Sequence, residues 1–183
     1  MHPPTNETVT FARDCDAVMI PSGDTGVIPA GAQGVLTQAL GGSFTVFIQG
    51  NLFRIAGEDA DAIGKEPQKP PELPPNATDE DVEQLVWAQL ATCYDPEIPI
   101  NVVELGLIYR CDITPLGMGE RQVDIDMTLT APGCGMGDII ADDVRSKVLM
   151  VPTIAQARVD IVFDPPWTHD MMSEAAKLQT GML

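Results

Sequence analysis

Residues 123–137 have the sequence VDIDMTLTAPGCGMG, and this stretch decides the fold class. In its first half apolar and acidic residues alternate, which predicts a β-strand with one face toward the core and one toward water. Three glycines within its last five residues permit unusual backbone angles and predict a loop. Residues 138–150 then carry apolar side chains at helical spacing, so the loop leads into a helix. A strand, a glycine-rich loop and a helix in this order indicate mixed α and β structure.

The segments upstream extend this pattern. Thr78 is a good N-cap before three acidic residues, and the helix that it begins is expected to run to about Thr92. Residues 107–113 alternate as a further strand. Residues 115–121 are predicted to be the hairpin loop that joins it to the strand that begins at residue 123.

Downstream, residues 159–163 alternate and predict a third strand. Thr168 is predicted to cap a terminal helix that runs to about Gln179. The predicted order is therefore α-β-β-α-β-α. The first two strands form an antiparallel hairpin, and the third joins the sheet through a helical crossover. We expect an α+β domain over residues 78–183.

The N-terminal third has a different pattern. Within residues 1–66, four short strands are predicted at residues 27–28, 34–37, 43–48 and 52–55, with a Gly41-Gly42 hairpin turn. Short strands at close spacing in a segment of this size predict a small SH3-like β-barrel. Five prolines then fall within residues 65–75, which predicts a semi-rigid linker over residues 67–77.

Composition limits the partners of the chain. It has 10 basic and 27 acidic residues, a formal net charge of −17. Nucleic acid and anionic membrane surfaces are poor partners because both attract clustered Lys and Arg. No apolar run reaches the roughly 18–20 residues of a membrane helix, and the first residues lack the pattern of a secretory signal. We therefore expect a cytoplasmic protein.

The four cysteines are Cys15, Cys93, Cys111 and Cys134, and none belongs to a CxxC pair. This spacing argues against a zinc finger and against a disulfide framework. Cys111 lies on the apolar face of its strand and Cys93 ends the first helix, so both are expected to pack in the core. Cys15 is assigned no role.

Asp95 and Glu97 lie in a stiff loop after the first helix, because Pro96 and Pro99 restrict its backbone. Carboxylates held in this way can bind a hard cation or transfer a proton. An aspartate before proline is also common at turns that have no chemical role. The residues alone leave both interpretations open.

Cys134 falls at or just before the start of the second helix. Unpaired N–H groups and the helix dipole stabilise a thiolate there, and a thiolate can ligate iron or attack an electrophile. Asp138, one turn later, would partly oppose this stabilisation. A buried cysteine that caps the helix fits the sequence equally well.

Three segments resemble the MIP-type, PaaD-like family of iron–sulfur assembly domains. They are residues 95–109 (DPEIPINVVELGLIY), residues 128–134 (TLTAPGC) and residues 163–168 (FDPPWT), the last followed by Met172 and Ser173. They occur in the order that the family has. The barrel and linker resemble the front end of the family's SUF-system branch. Gly135 departs from the family pattern, which often has proline after the cysteine.

The resemblance implies an α/β fold of the iron–sulfur assembly type and a non-enzymatic, accessory role in maturing client proteins. It places the functional cysteine on Cys134 and the acidic loop on Asp95 and Glu97, with Cys134 and Asp95 as candidate ligands of a transient iron–sulfur cluster or iron. The implied partners are SUF assembly proteins and apo iron–sulfur clients. The remaining loop and closing-motif positions are Thr130, Pro132, Gly133, Pro166 and Trp167.

The number of ligands limits this role. A cluster normally takes four protein ligands, and one thiolate is too few. We therefore expect either transient binding or a cluster shared across a homodimer. Two alternatives remain: a metal-free adaptor that docks clients through its acidic surface, and a thiol enzyme with Cys134 as nucleophile. Neither His2 nor His169 offers the enzyme an evident general base.

Overall fold

The computed structural model describes residues 6–95, 98–133 and 135–182. The chain divides into two compact units, Met1–Lys69 and Pro70–Leu183. Each unit has its own sheet. No helix within the described ranges is long and apolar enough to cross a membrane.

The first unit is an antiparallel sheet of six strands in the order β1-β4-β5-β6-β2-β3. A 3₁₀ helix, Gly57–Ile63, follows the last strand. The buried core draws on most of these elements and includes Val9, Phe11, Leu36, Val46 and Ile55. The strands are β1 (Glu7–Thr10), β2 (Cys15–Ile20), β3 (Thr25–Ile28), β4 (Gln33–Leu40), β5 (Ser43–Ile48) and β6 (Asn51–Ile55).

The four strands that the sequence predicted here correspond to β3–β6. Gly41 and Gly42 form the two-residue turn between β4 and β5, with φ of 58° and 82°. Positive φ at both positions is what this kind of hairpin turn needs, and glycine adopts it without strain. The sequence analysis missed β1, β2 and the 3₁₀ helix. Cys15 begins β2, and its side chain is buried.

The sheet of the first unit is open. Among the described strands, β1 pairs only with β4 and β3 pairs only with β2, so these two stand at opposite ends. A closed barrel has no such ends, because its first and last strands pair with each other. The predicted SH3-like barrel is therefore not confirmed, and the unit is described as an open β-sheet.

The second unit has the predicted order of elements. Its sheet has the order β7-β8-β9, in which β7 and β8 are antiparallel while β8 and β9 are parallel. The helix between β8 and β9 provides the predicted crossover and contacts β9. The elements are α1 (Asp79–Leu90), β7 (Ile108–Gly117), β8 (Glu120–Met127), α2 (Gly137–Leu149), β9 (Ile154–Ile161), a 3₁₀ turn (His169–Met171) and α3 (Glu174–Thr180).

Local signals in the sequence explain these elements. Thr78 caps α1 as predicted, since its hydroxyl accepts a hydrogen bond from the Asp81 N–H while the Asp81 carboxylate accepts one from the Thr78 N–H. The apolar positions of β8 and α2 are buried at the predicted spacings. In β8 these are Val123, Ile125 and Met127, and in α2 they are Ile140, Val144 and Val148.

Three boundaries differ from the prediction. The β7–β8 hairpin closes tightly around Met118 and Gly119, both at positive φ, where a loop over 115–121 was expected. The third strand begins at Ile154 rather than near residue 159. Thr168 precedes only a single 3₁₀ turn, and the terminal helix is capped instead by Ser173, whose hydroxyl accepts from the Ala176 N–H at 3.1 Å.

Candidate functional site

Asp95 lies five residues beyond the end of α1 at Leu90 and is only 6% exposed. Its Oδ1 accepts a hydrogen bond of 2.9 Å from the Ile98 N–H, and its own N–H donates to the Ile100 carbonyl at 3.2 Å. These bonds join Asp95 to Ile98 and Ile100, so the residue has a structural role. Glu97, the second predicted acid, lies outside the described residues together with Pro96.

The side chains of Asp95 and Thr130 meet in this unit. The Thr130 hydroxyl donates to Asp95 Oδ2 at 3.4 Å. This bond is long and therefore weak. It nevertheless joins the acidic loop after α1 to the glycine-rich loop after β8, so the structure brings together two of the three segments that the sequence singled out.

Cys134 lies outside the described residues, and so the predicted functional cysteine is placed only through its neighbours in the chain. Pro132, Gly133 and Gly135 are exposed. Gly133 has φ of 80° with no atom within 4 Å of an added Cβ, so its neighbourhood is open. Three residues after Cys134, Gly137 begins α2, and an added Cβ there would press on Leu129.

The closing motif contacts the opening motif along its length. The Trp167 indole donates to the Leu105 carbonyl at 2.7 Å, and the Tyr109 hydroxyl donates to the Pro165 carbonyl at 2.8 Å. Further along, the Ser173 N–H donates to the Glu104 carbonyl at 2.8 Å, and the Ser173 hydroxyl bonds to the Glu104 carboxylate. These contacts fix the loop that leads from Asp95 into β7.

Gly106 shows how close this contact is. Its φ is 72°, and an added Cβ would collide with the carbonyl of Met171. Glycine is therefore needed at this position both for the backbone angle and for the space. Pro166, which the resemblance included among the site residues, is exposed, while Trp167 is half-buried with its ring centroid 5.0 Å from that of His169.

Thr128 also belongs to this site, although its residue type and spacing gave no sign of a role. Its N–H donates to the Leu107 carbonyl at 2.8 Å, and its side chain is 1% exposed. Its hydroxyl has no hydrogen-bond partner among the described residues. Buried polar atoms are normally paired. The only sequence signal was the position of Thr128 at the start of the cysteine segment.

Two of the three described cysteines carry little thiolate at neutral pH. Burial raises the pKa of the Cys15 and Cys111 thiols to about 11, and nearby carboxylates add to the effect. Cys93 is fully buried, with its sulfur 3.7 Å from the Gln89 carbonyl oxygen. Within the described ranges, no group of three or more His, Cys, Asp or Glu side chains is placed to hold a metal ion.

Comparison with known proteins assigns this second unit to a family. A family model described as "Iron-sulfur cluster assembly protein" matches residues 83–161. A "Fe-S protein maturation auxiliary factor" from Porphyromonas gingivalis is 46% identical over 106 residues, which cover 58% of this chain and 93% of that protein. The Staphylococcus aureus "Fe-S protein maturation auxiliary factor SufT" is 43% identical over 88 residues, or 48% of this chain and 96% of that protein.

A solved structure is also similar. A crystal structure of a domain of unknown function, DUF59, from Bacillus anthracis is 34% identical, with a TM-score of 0.49, and the match covers 57% of this chain and 95% of that one. The sequence relationships decide the assignment: the chain belongs to the iron–sulfur cluster assembly protein family. Both of these relatives are Fe–S protein maturation auxiliary factors, so the resemblance inferred from the three motifs is confirmed.

Proposed function

We propose that this chain is a non-enzymatic accessory factor that helps to mature iron–sulfur client proteins, with a cluster or iron as its transient cargo. The observation that carries this proposal is the convergence of the family's motifs. Asp95 contacts Thr130, and Trp167 contacts Leu105, so all three motifs meet in one compact unit. The relatives from Porphyromonas gingivalis and Staphylococcus aureus are both named auxiliary factors.

In this proposal Cys134 supplies the thiolate that ligates the cargo. The pKa values of Cys15 and Cys111 lie too high for a neutral-pH thiolate, and Cys93 is fully buried, which leaves Cys134 as the candidate. In the sequence Cys134 stands three residues before α2 begins, and we expect the dipole of that helix to favour the charged form. Asp95 is a positioning residue for the loop, or a second ligand.

The remaining motif residues hold this loop in place. Thr130 ties it to Asp95, Pro132 and Gly133 shape its exposed turn, and Trp167 contacts the opening motif at the Leu105 carbonyl. In the sequence, Glu97 supplies a second carboxylate to the acidic loop that contains Asp95. A set of ligands this small does not retain a cluster tightly. Because the chain offers so few ligands, we expect that it binds the cluster transiently or shares it across a homodimer.

The partners in this proposal are SUF assembly proteins and apo iron–sulfur clients, in the cytoplasm. We also propose that residues 67–77 act as a linker between a domain of residues 1–66 and the PaaD-like domain of residues 78–183. The first domain receives no role in the maturation step.

The test is anaerobic reconstitution of the full chain with iron and sulfide. Wild type, Cys134→Ser and Cys111→Ser are compared by absorption and Mössbauer spectroscopy, and each is then added to an apo iron–sulfur enzyme. We expect Cys134→Ser to lose bound iron and client activation, while the matched control Cys111→Ser keeps both. If wild type and Cys134→Ser bind equal amounts of iron and sulfide, Cys134 is not a ligand. If client activation also stayed unchanged, a metal-free adaptor would replace this proposal.

A further inference from the structure

A groove with a volume of about 530 Å³ runs along β9 in the second unit. Its lining includes five consecutive residues of β9, residues 155–159, together with one face of α2 and Gln122 of β8. Successive residues of a strand point to opposite faces of the sheet. A lining of consecutive strand residues therefore means that the groove follows the outer edge of β9 rather than one face of the sheet.

This edge is open in the described part of the chain. β9 has eight residues and pairs with β8 on one side, and no described strand pairs with its other side. An unpaired edge offers a row of backbone N–H and C=O groups. Extended peptides bind to such edges by adding a strand, and the neighbouring side-chain pockets then select the sequence.

The wall of the groove toward α2 combines apolar side chains with the ion pair of Arg145 and Asp142. Ala157 and Val159 lie opposite the buried Val123 and Ile125 of β8, so they belong to the core face of the sheet. Leu149 at the end of α2 lines the same groove and is 41% exposed. This wall suits an aliphatic side chain of an added strand.

Two arginines stand on the two sides of this edge. Arg145 extends from α2, while Arg158 lies on the other face of β9 with Asp124. Their ion pairs are loose: Arg145 to Asp142 measures 3.4 Å and Arg158 to Asp124 measures 3.9 Å.

Other arginines of the chain are held more firmly. Arg13, Arg110 and Arg121 each hold a carboxylate at 2.6–2.7 Å. Arg145 and Arg158 are also more exposed, with side-chain exposures of 53% and 69%. Exposed pairs at such distances contribute little to stability. The chain has a net charge of −17, and yet this groove contains two loosely paired arginines. The groove therefore favours a ligand that carries carboxylates.

We propose that this groove binds an extended segment of a partner protein, which adds as a strand to β9 and carries carboxylates on both sides of an aliphatic residue. The aliphatic side chain packs against Leu149 and Val159, and the carboxylates replace the loose contacts of Arg145 and Arg158. Asp124 keeps a partner after this exchange, because the Gln122 amide already donates to its carboxylate at 2.9 Å.

A second copy of this chain is the less favourable occupant. Pairing the β9 edges of two copies would bring their Arg145 and Arg158 side chains together, and like charges on paired strands are destabilising. The partner strand therefore belongs to a different protein.

The test uses the full chain and a short fluorescein-labelled peptide in which glutamates flank a leucine-valine pair. Fluorescence anisotropy should show saturable binding to wild type. The double variant Arg145→Gln/Arg158→Gln should bind at least about tenfold more weakly, which corresponds to about 1.4 kcal/mol. The control is Arg110→Gln on β7, at the opposite edge of the sheet. It also replaces an arginine by glutamine and should leave the affinity unchanged.

A second peptide with lysine in place of glutamate should bind more weakly than the first. Amide hydrogen exchange should slow at residues 155–159 when the acidic peptide is present. Lack of saturable binding, equal affinity for both peptides, an equal loss in Arg110→Gln, or protection outside β9 would each overturn the proposal. Neither Cys134 nor a metal takes part in this experiment, so its outcome is separate from that of the maturation role.

Discussion

Asp95 and Thr130 are 35 residues apart in sequence and touch through their side chains at 3.4 Å. One follows the first helix of the second unit and the other follows its central strand. The Asp95 carboxylate therefore forms hydrogen bonds in two loops, because its other oxygen accepts one from the Ile98 N–H. A single buried side chain thus connects the acidic loop to the loop that carries the cysteine.

Removing this carboxylate should loosen both loops. We expect Asp95→Ala to lower the free energy of unfolding of the second unit by about 1–3 kcal/mol, because it leaves buried hydrogen-bonding groups without a partner. Asp95→Asn keeps an acceptor for the Ile98 N–H and should cost less. Trp87 and Trp167 both lie in this unit, so denaturation followed by tryptophan fluorescence reports on it selectively.

The same pair of variants separates positioning from ligation. If Asp95 only orients the loop, Asp95→Asn should retain most of the iron bound on reconstitution, whereas Asp95→Ala should not. Equal stability of Asp95→Ala and wild type would contradict the structural role.

Gly106→Ala should be strongly destabilising. Alanine at φ of 72° is strained, and its methyl group would collide with the Met171 carbonyl. We expect a loss above about 2 kcal/mol, since overpacking adds to the backbone cost. The matched control is Gly119→Ala at φ of 78°, where no atom lies within 4 Å of the added Cβ. Backbone strain alone should cost that variant about 1 kcal/mol.

Thermal and chemical denaturation of both glycine variants measure the difference. Equal costs would mean that the closing motif moves away from Gly106 freely. A loss of the Trp167 fluorescence signature in Gly106→Ala alone would show that the closing motif has left the Leu105 carbonyl.

Alternating patterns in the sequence were enough to predict the order of elements in the second unit. Burial at Val123, Ile125 and Met127 follows from their period of two, and the period is a local property. Strand β2 was missed because residues 15–20 alternate only weakly and include small side chains. The openness of the first sheet was missed for a different reason, since closure depends on which strands pair.

The candidate site was predictable only in part. Its motifs are continuous in sequence, so Asp95, Thr130 and Trp167 could all be named. The contact between Asp95 and Thr130 requires the chain to bring the end of α1 beside the end of β8, and no local pattern encodes that. The Thr128 hydroxyl, which has no hydrogen-bond partner in the described part of the chain, could not be predicted either, because its burial depends on tertiary packing.

Thiol reactivity should distinguish the cysteines. A pKa raised from about 9 to about 11 lowers the thiolate fraction of Cys15 and Cys111 at neutral or mildly alkaline pH by about 100-fold. Alkylation of these two thiols should therefore be slow at pH 8 and should accelerate up to about pH 11. Cys134 should react first.

Iodoacetamide labelling followed by peptide mass spectrometry measures all four rates in one experiment. Cys134→Ser serves as the control, because it should remove the fast phase and leave the slow ones unchanged. Fast labelling of Cys15 or Cys111 at pH 8 in the folded protein would contradict the effect of burial on their pKa.

Thr128→Val should raise stability. Valine has nearly the same shape as threonine, and it removes a buried hydroxyl that has no partner among the described residues. Leaving such a group unpaired costs about 1–3 kcal/mol, so we expect a gain of up to that size in the free energy of unfolding. The matched control is Thr114→Val on β7, whose side chain is exposed and should change stability by less than about 0.5 kcal/mol. Denaturation monitored by tryptophan fluorescence compares the two variants, and reconstitution with iron then tests function. If Thr128→Val gains stability but loses iron, the hydroxyl is kept for the loop that carries Cys134. A loss of stability would instead mean that the Thr128 hydroxyl has a partner in the folded protein.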